Sequence, residues 1–302
     1  MSNNKGSGRS LFKRRRKLGA YDWFDYLNTA MMLLLCVVML YPMWHVVCAS
    51  FSDGVELMKH GGNILLAPLN FTFDAYKAAF KHSLIVGSFL NSVSITVGSV
   101  AVSMVMTILC AYVLSRQRVF FKKFFNLMIV ITMFYSGTLI SRYMLITQTL
   151  GLSDTFWALI LPGCLSVYNM IIVRTAFEGV PDSLNEAAYI DGANHWQVMW
   201  KVTVPLCKST LAVMVLYYAV PVWNSWFSAS IYLKSREKLP LQLVLREILI
   251  QNNIEQLGLD AINIAASIEY AAMIIGTLPI LLLYPALQKH FTKGVMIGAV
   301  KG

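Results

Sequence analysis

Charged residues are scarce in this chain of 302 residues, because Asp, Glu, Lys and Arg together make up 13% of it, where an ordinary soluble domain carries about 25%. Hydrophobic residues make up 57%, and the mean hydropathy is +0.60. The shortage of charge excludes an ordinary soluble protein. Apolar stretches recur along the whole chain, and they indicate one all-α, polytopic membrane domain rather than two soluble domains.

Cysteine and histidine are also too few and too scattered to build a site. The five cysteines include no CxxC pair, and the five histidines lie far apart in the sequence. Neither a disulfide framework nor a metal motif is therefore indicated. No lysine directly follows a glycine, which excludes the phosphate-binding P-loop. We expect no catalytic residue, no metal and no cofactor in this chain.

Six stretches are long enough to cross a membrane, taking about 20 apolar residues as the length that spans ~30 Å of hydrocarbon. The first follows a basic run, Lys13 to Lys17, but it is too long for a secretory signal and no A-x-A cleavage site follows it. We predict that it is retained. The third is the weakest, since Ser136-Gly137 and Ser141-Arg142 interrupt it. The predicted spans cover residues 27 to 49, 84 to 114, 124 to 146, 154 to 177, 207 to 231 and 264 to 288.

Lys and Arg are divided unevenly between the two sides of these spans. If the N-terminus is inside, the inner segments carry 17 of the 25, and the positive-inside rule assigns that side to the cytoplasm. Both termini are then cytoplasmic, namely the basic segment 1–26, held against anionic lipid, and the tail 289–302. The membrane domain covers 27–288, and its largest cytoplasmic loop covers 178–206.

The loop 178–206 combines helix signals with a break. Pro181 ends the preceding element, while Ser183 and Glu186 have the spacing of a capping box, in which each side chain bonds the other residue's backbone N–H. Gly192 interrupts the helix and Pro205 restarts it at the membrane. The pattern predicts a short helix, a break and a second short helix. Its apolar residues predict a face that needs a partner, and they are Val180, Leu184, Ala187, Ala188, Val198, Met199 and Val202.

This loop resembles the EAA loop of the permeases of binding-protein-dependent ABC transporters, and it carries Glu186-Ala187-Ala188, Gly192 and Val202-Thr203-Val204-Pro205 at the matching spacing. The resemblance covers most of the chain. It is greatest to the smaller maltose-type subunit and to the polysaccharide permeases of the sugar-uptake branch. The other segments that carry it are Pro68 to Tyr76, Asn91-Ser92, Ala111 to Arg116 and Gln288 to Gly302. Glu269 departs from that subgroup, which usually has an apolar residue there.

The resemblance implies an ABC importer permease fold with six transmembrane helices in the bacterial cytoplasmic membrane. Its partners would be a second permease subunit, a cytoplasmic ABC ATPase dimer that binds the ATP, and an extracytoplasmic solute-binding protein. The outer loop from Lys234 to Ala261 would probe that binding protein. The cargo would be an oligosaccharide or polysaccharide fragment moved by alternating access. Membrane lipid is a further partner, and nucleic acid is not expected.

The resemblance also assigns roles to single residues. Glu186 would pair with a basic residue of the ATPase, Ala187 and Ala188 would permit close helix approach, and Gly192 would allow the bend; Asp191 and Pro205 complete this ATPase-coupling set. The alternative is that Glu186 only caps its own helix. The tail would reach between the two ATPase subunits or else anchor at lipid headgroups, through Lys293, Gly294, Gly298 and Lys301.

The fifth span and its exit are rich in aromatic residues. Tyr218, Trp223, Asn224 and Trp226 suit either a sugar path, since rings stack on sugar faces, or an ordinary interfacial belt. Three other functions stay open. One is a permease for another solute, and one is a membrane-embedded enzyme of envelope polysaccharide chemistry, which should show clustered carboxylates or a nucleophile with a base. The third is a secondary carrier, against which the lack of inverted symmetry between the two halves counts.

Overall fold

The structure, a computed structural model, contains helices and no strand among the residues that it describes. This confirms the predicted all-α fold. The described residues are 23–61, 66–81, 83–116, 119–134, 137–251 and 265–299. The predicted basic segment up to residue 22, the outer loop from residue 252 to 261, and Lys301 lie outside them. The chain divides into two compact units, residues 1–45 and 46–302.

The helices follow one another with short connections. In chain order they are α1 (Trp23–Ser50), α2 (Gly54–Lys59), α3 (Asp74–Lys81), α4 (Ser83–Ser115), α5 (Lys122–Phe134), α6 (Leu139–Met144, continued by π-helical Leu145–Thr149), α7 (Trp157–Ile160, continued by the 3-10 turn Leu161–Gly163), α8 (Val167–Glu178), α9 (Asp182–Ile190), α10 (His195–Val198, continued by π-helical Met199–Thr203), α11 (Val204–Leu206), α12 (Lys208–Trp223), α13 (Phe227–Tyr232), α14 (Leu241–Gln251) and α15 (Ala265–Ala299), with a 3-10 turn at Arg236–Lys238.

The first unit contains most of α1. This helix is long and apolar enough to cross a bilayer, as predicted for the first span. Its side chains up to His45 are exposed or half-buried. A helix that is apolar on all sides and not packed into protein suits a lipid environment.

α4 is the central helix of the second unit and packs against both α8 and α12. Its buried positions include the small hydroxyl residues Ser99, Ser103 and Thr107. The hydroxyls of Thr107 and Tyr218 of α12 share a hydrogen bond of 2.7 Å. Lipid is as apolar as a leucine side chain, so helices in a membrane associate through close packing of small residues and through hydrogen bonds of this kind.

Three of the predicted spans are broken helices. In the third, α5 ends at Phe134 and α6 begins after Thr138, whose hydroxyl accepts a bond from the N–H of Ser141. This break confirms the predicted interruption. The fourth bends by 53° between the turn that contains Pro162 and α8, and the fifth meets the preceding loop at 84°, at Cys207. The fifth also ends at Trp223, earlier than the predicted residue 231.

The last helix is longer than expected. The predicted sixth span ends at residue 288 with a separate tail after it, but α15 is one helix from Ala265 to Ala299. Gly294 and Gly298 lie inside it, because a glycine lowers helix propensity by about 1 kcal/mol without ending a helix by itself. Among the described residues, α1 and α4 are each long and apolar enough to cross a membrane as a single helix. If each of the three bent helix pairs is counted as one span, the number of spans rises to five. The apolar part of α15, Ser267–Leu283, corresponds to the predicted sixth.

Candidate functional site

The loop 178–206, called the coupling loop from here on, has the predicted helix, break and helix. α9 is the first helix, and α10 continues through a π-helical turn into α11 as the second. Gly192 lies between them with a φ of +82°, in the left-handed region that favours glycine. The N–H groups of Gly192 and Ala193 close the end of α9 by donating to Tyr189 and Ala188 at 3.0 and 2.9 Å. Glycine is therefore favoured here by backbone conformation.

The predicted capping box between Ser183 and Glu186 is wrong. Pro181 occupies the N-cap position of α9 and makes no side-chain bond, so the helix begins two residues earlier than the pattern implied. Ser183 then lies inside the first turn, where its hydroxyl is not placed to cap. The capping box is instead at the start of α10, where Asn194 and Gln197 bond each other's backbone N–H at 2.9 Å.

The exposed face of the coupling loop differs from the predicted one. Val180, Val198 and Met199 are buried against the protein's own helices, so they do not contribute to a partner surface. The exposed apolar residues of α9 and α10 include Leu184 (44% exposed), Ile190 (86%) and Trp196 (59%), with Ala187 also exposed. We call Leu184, Ala187, Ile190 and Trp196 the docking face. Sequence reasoning missed Ile190 and Trp196, although both are large apolar residues next to the predicted break.

The other residues of the predicted ATPase-coupling set lie on the same loop and differ in exposure. Glu186 and Asp191 are exposed, Ala188 is half-buried, and Pro205 is exposed on α11. Glu186 has no hydrogen bond or ion pair with any described residue. Its carboxylate therefore faces solvent and does not cap its own helix.

Side chains at the C-terminal end of α4 join the coupling loop to the membrane helices. The Tyr112 hydroxyl donates to the carbonyl of His195 at 3.0 Å, and the Tyr189 hydroxyl bonds Nδ1 of His195 at 2.7 Å. Nη2 of Arg116 donates to the Thr203 hydroxyl at 3.1 Å, while its guanidinium lies 4.3 Å from the centre of the Tyr112 ring. Direct contacts therefore connect α10 and its π-helical continuation to α4 and the residue after it.

A charged network joins the start of the coupling loop to the third span. Glu178 accepts from Arg174 at 2.9 Å and lies 3.7 Å from Lys122 of α5. Arg174 also donates to the side chain of Asn126 at 2.8 Å. The loop therefore continues from α8, contacts α5 through Lys122 and contacts the end of α4 through Tyr112 and Arg116. Because these charged pairs are partly exposed, each adds only modestly to stability, but together they fix the position of the loop.

The proposed path residues of the fifth span are mostly in the interior. Tyr218 and Trp223 are buried, and their polar atoms are bonded, Tyr218 to Thr107 and Trp223 Nε1 to the carbonyl of Gly276 at 2.8 Å. The exposed Asn224 bonds the carbonyl of its own helix. Trp226 is half-buried beneath the guanidinium of Arg246, at 3.3 Å. Tyr218 and Trp223 therefore hold helices together and present no free ring to a path or to an interfacial belt.

A connection between Asp154 and the segment after α13 escaped sequence reasoning altogether. The Asp154 carboxylate accepts from Nζ of Lys238 at 2.8 Å and from the backbone and hydroxyl of Ser235 at 3.0 and 2.6 Å. These bonds hold the pKa of Asp154 well below its usual range, with Lys238 the largest cause and Ser235 the next. Asp154 has a φ of +58°, a strained backbone that the bonds stabilise. The partners are about 80 residues apart, so no local signal pointed to them.

The Asn91-Ser92 pair, which resembles the family's second span, fixes the segment from Glu237 to Leu241 to α4. Asn91 donates to the carbonyls of Glu237 and Leu239 at 2.7 and 3.2 Å. The Ser92 hydroxyl accepts from the N–H of Leu241 at 2.8 Å. Of the predicted tail residues, Lys293, Gly294 and Gly298 lie on α15, and their contact with an ATPase stays a prediction.

The chain is similar to several known transport proteins. Residues 75–297 match the family described as binding-protein-dependent transport system inner membrane component. The chain is 37% identical over 284 residues to the polygalacturonan/rhamnogalacturonan transport system permease protein YtcP of Bacillus subtilis, covering 92% of this chain and 98% of that protein. It is 25% identical over 283 residues to the arabinooligosaccharides transport system permease protein AraQ of Halalkalibacterium halodurans, covering 92% and 97%. A crystal structure of a bacterial ABC transporter involved in import of the acidic polysaccharide alginate contains a chain with a TM-score of 0.84 and 30% identity, covering 90% of this chain and 99% of that one.

Proposed function

Because the chain belongs to the family of binding-protein-dependent transport system inner membrane components, we propose that it is a permease subunit of an ATP-driven importer of oligosaccharides or polysaccharide fragments. It is a multi-pass protein of the bacterial cytoplasmic membrane. The names of its similar proteins, which carry polygalacturonan, arabinooligosaccharides or alginate, support a saccharide cargo. In this proposal the chain binds no cofactor and catalyses no reaction, and a partner hydrolyses the ATP.

The observation that carries the proposal is the docking face on a loop that is bonded to α4. An exposed apolar surface with Ile190 86% exposed needs a partner, and a cytoplasmic ABC ATPase dimer is the partner that an importer requires. Glu186, exposed beside this face without a partner of its own among the described residues, is available to a basic ATPase residue. When the ATPases close, they displace α9 and α10.

The bonds of Tyr112 and Arg116 pass that displacement to α4, and the network of Glu178 passes it to α5 and α8. The transport path is completed by a second permease subunit, and an extracytoplasmic solute-binding protein delivers the cargo. The excess of Lys and Arg on the inner side supports cytoplasmic termini.

The test is an aspartate at Ile190, the most exposed residue of the docking face. Ile190→Asp places an unpaired carboxylate where an apolar contact is needed, and burial of such a group is costly. We expect roughly ten-fold or greater weakening of ATPase co-purification and a matching loss of uptake in proteoliposomes. Asn194→Asp is the control, because it adds the same charge to the same loop and keeps a good N-cap residue for α10. Normal co-purification and uptake in Ile190→Asp would refute docking through this face.

A further inference from the structure

A polar cavity of about 220 Å³ lies between α9 and the adjoining ends of α4, α5 and α8. Of the residues that line it, only Glu178 and Asp182 are exposed. The other six, which include the apolar Phe177 and Val180, are buried or half-buried. The cavity is therefore enclosed largely by protein, and it lies behind the helix that carries part of the docking face.

Two side-chain atoms of residues that line this cavity are buried from water and have no hydrogen-bond partner within the described ranges. They are Nε of Arg116 and Oδ1 of Asn185, and Asn185 as a whole is 4% exposed. A buried donor or acceptor without a partner destabilises the state in which it occurs. Because neither atom is accessible to water, solvent that enters the cavity does not satisfy them in this arrangement.

The other polar side chains that line the cavity either have a partner or face solvent. The Ser115 hydroxyl donates to a backbone carbonyl at 2.8 Å, and Nζ of Lys122 donates to another at 3.0 Å. Glu178 belongs to the charged network at the start of the coupling loop, and Asp182 is exposed. One donor and one acceptor are left over, and these two are complementary to each other.

We propose that Asn185 is a further coupling residue, whose Oδ1 accepts a hydrogen bond from Nε of Arg116 when the ATPases displace α9 and the cavity closes. The inference rests on the proposed transport function. Leu184 of the docking face is exposed, whereas the next residue, Asn185, is buried on the cavity side of α9. Pressure on the docking face therefore moves Asn185 toward Arg116, which is held by Thr203 and by the Tyr112 ring.

The hydrogen bond between Arg116 and Asn185 would exist in the closed arrangement and is absent from the open one. A contact that is made in one state only shifts the equilibrium toward that state. The donor belongs to a charged guanidinium, and hydrogen bonds from charged donors are stronger than neutral ones. Removal of the amide should therefore weaken the closed arrangement and leave the stability of the open arrangement unchanged or higher.

The test uses the complete transporter, with its second permease, ATPases and binding protein, in proteoliposomes, with trigalacturonate and arabinotriose as cargo. Asn185→Leu keeps the approximate size of the side chain and removes the acceptor. We expect cargo-stimulated ATP hydrolysis and uptake to fall about ten-fold or more, as for the loss of a hydrogen bond to a charged group. The unfolding temperature of the nucleotide-free transporter should not fall, because Asn185 accepts no bond in that state.

The opposite change is Asn185→Asp, which places a carboxylate opposite the guanidinium and strengthens the closed arrangement. ATP hydrolysis without cargo should then rise several-fold. Asn194→Asp makes the same substitution at an exposed position of the same loop, and it should change hydrolysis by less than about two-fold. In an Arg116→Lys background, which lacks Nε, Asn185→Leu should likewise lower hydrolysis by less than about two-fold, since the effects of a pair are not additive.

Other results overturn the inference. A lower unfolding temperature of the nucleotide-free Asn185→Leu transporter would assign Asn185 a structural role, and normal coupling in that variant would exclude the hydrogen bond. Hydrolysis without cargo that is no higher in Asn185→Asp than in Asn194→Asp would also refute it. A full loss on Asn185→Leu in the Arg116→Lys background would show that Asn185 acts through another residue. In each case the proposed function stands if the wild type imports a saccharide, and it fails only if the wild type does not.

Discussion

The break at Gly192 permits a quantitative prediction. Its φ of +82° is unfavourable for residues that carry a Cβ, and the left-handed region costs them about 1–2 kcal/mol. A Cβ built at this position meets nothing within 4 Å, so this cost is backbone strain and contains no steric clash. Such a cost lowers the population of the coupling-competent loop about 5- to 30-fold.

A series of substitutions separates strain from size. We expect Gly192→Ala to lower saccharide-stimulated ATP hydrolysis roughly as the loop population falls, and Gly192→Val to lower it further, since a β-branched residue at positive φ is a true outlier. Gly192→Asn should keep most of the activity, because asparagine adopts this conformation readily although its side chain is as large as that of valine. The assay is ATP hydrolysis by the reconstituted transporter at equal membrane abundance. If Asn is as defective as Val, crowding against the ATPase is the cause and the strain argument fails.

Three further predictions concern other parts of the molecule. Tyr112→Phe removes the hydrogen bond to the His195 carbonyl and should weaken the attachment of α10 to α4 by about 1 kcal/mol. ATP hydrolysis should then respond less to cargo, and an unchanged response would exclude Tyr112 as a link. The pKa of Asp154 is lowered on folding, so its contribution to stability is full above its unfolded pKa of about 3.9 and is lost as the pH falls below it. Thermal unfolding should therefore show Asp154→Asn less stable than wild type near neutral pH, with a difference that shrinks in acid; a difference independent of pH would contradict this. A cysteine at Asn194 should resist an impermeant thiol reagent applied from outside, and modification from that side would refute the cytoplasmic position of the coupling loop.

Much of the organisation follows from the sequence because it depends on local composition. An apolar stretch of about 20 residues crosses a bilayer whatever lies beside it, and the first and second spans appear as α1 and α4 close to their predicted bounds. Gly192 breaks the coupling loop because the left-handed conformation is a property of a single residue. The third span is interrupted near the predicted point for a similar reason, since Thr138 caps a new helix there.

Predictions from the local sequence were wrong where the exposure of a residue depends on neighbours that are distant in the sequence. Val198 and Met199 look like part of an exposed apolar face, but they pack on the protein's own helices, and Ile190 and Trp196 are exposed instead. Tyr218 is an aromatic residue of the kind that binds sugars, yet its ring is buried and its hydroxyl bonds Thr107 of α4. Periodicity shows that a residue is apolar or aromatic, and the partners that surround it decide which surface it faces.

The sequence by itself determined the membrane class, the helical fold and the position of the coupling loop, because hydrophobic length, charge bias and backbone preference act over a few residues. Tertiary structure alone decided which residues form the docking face, how Tyr112 and Arg116 bond the loop to α4, and how Asp154 holds Lys238 across about 80 residues. These features depend on side chains that come into contact only after the helices have packed, so they cannot be predicted from a local sequence pattern.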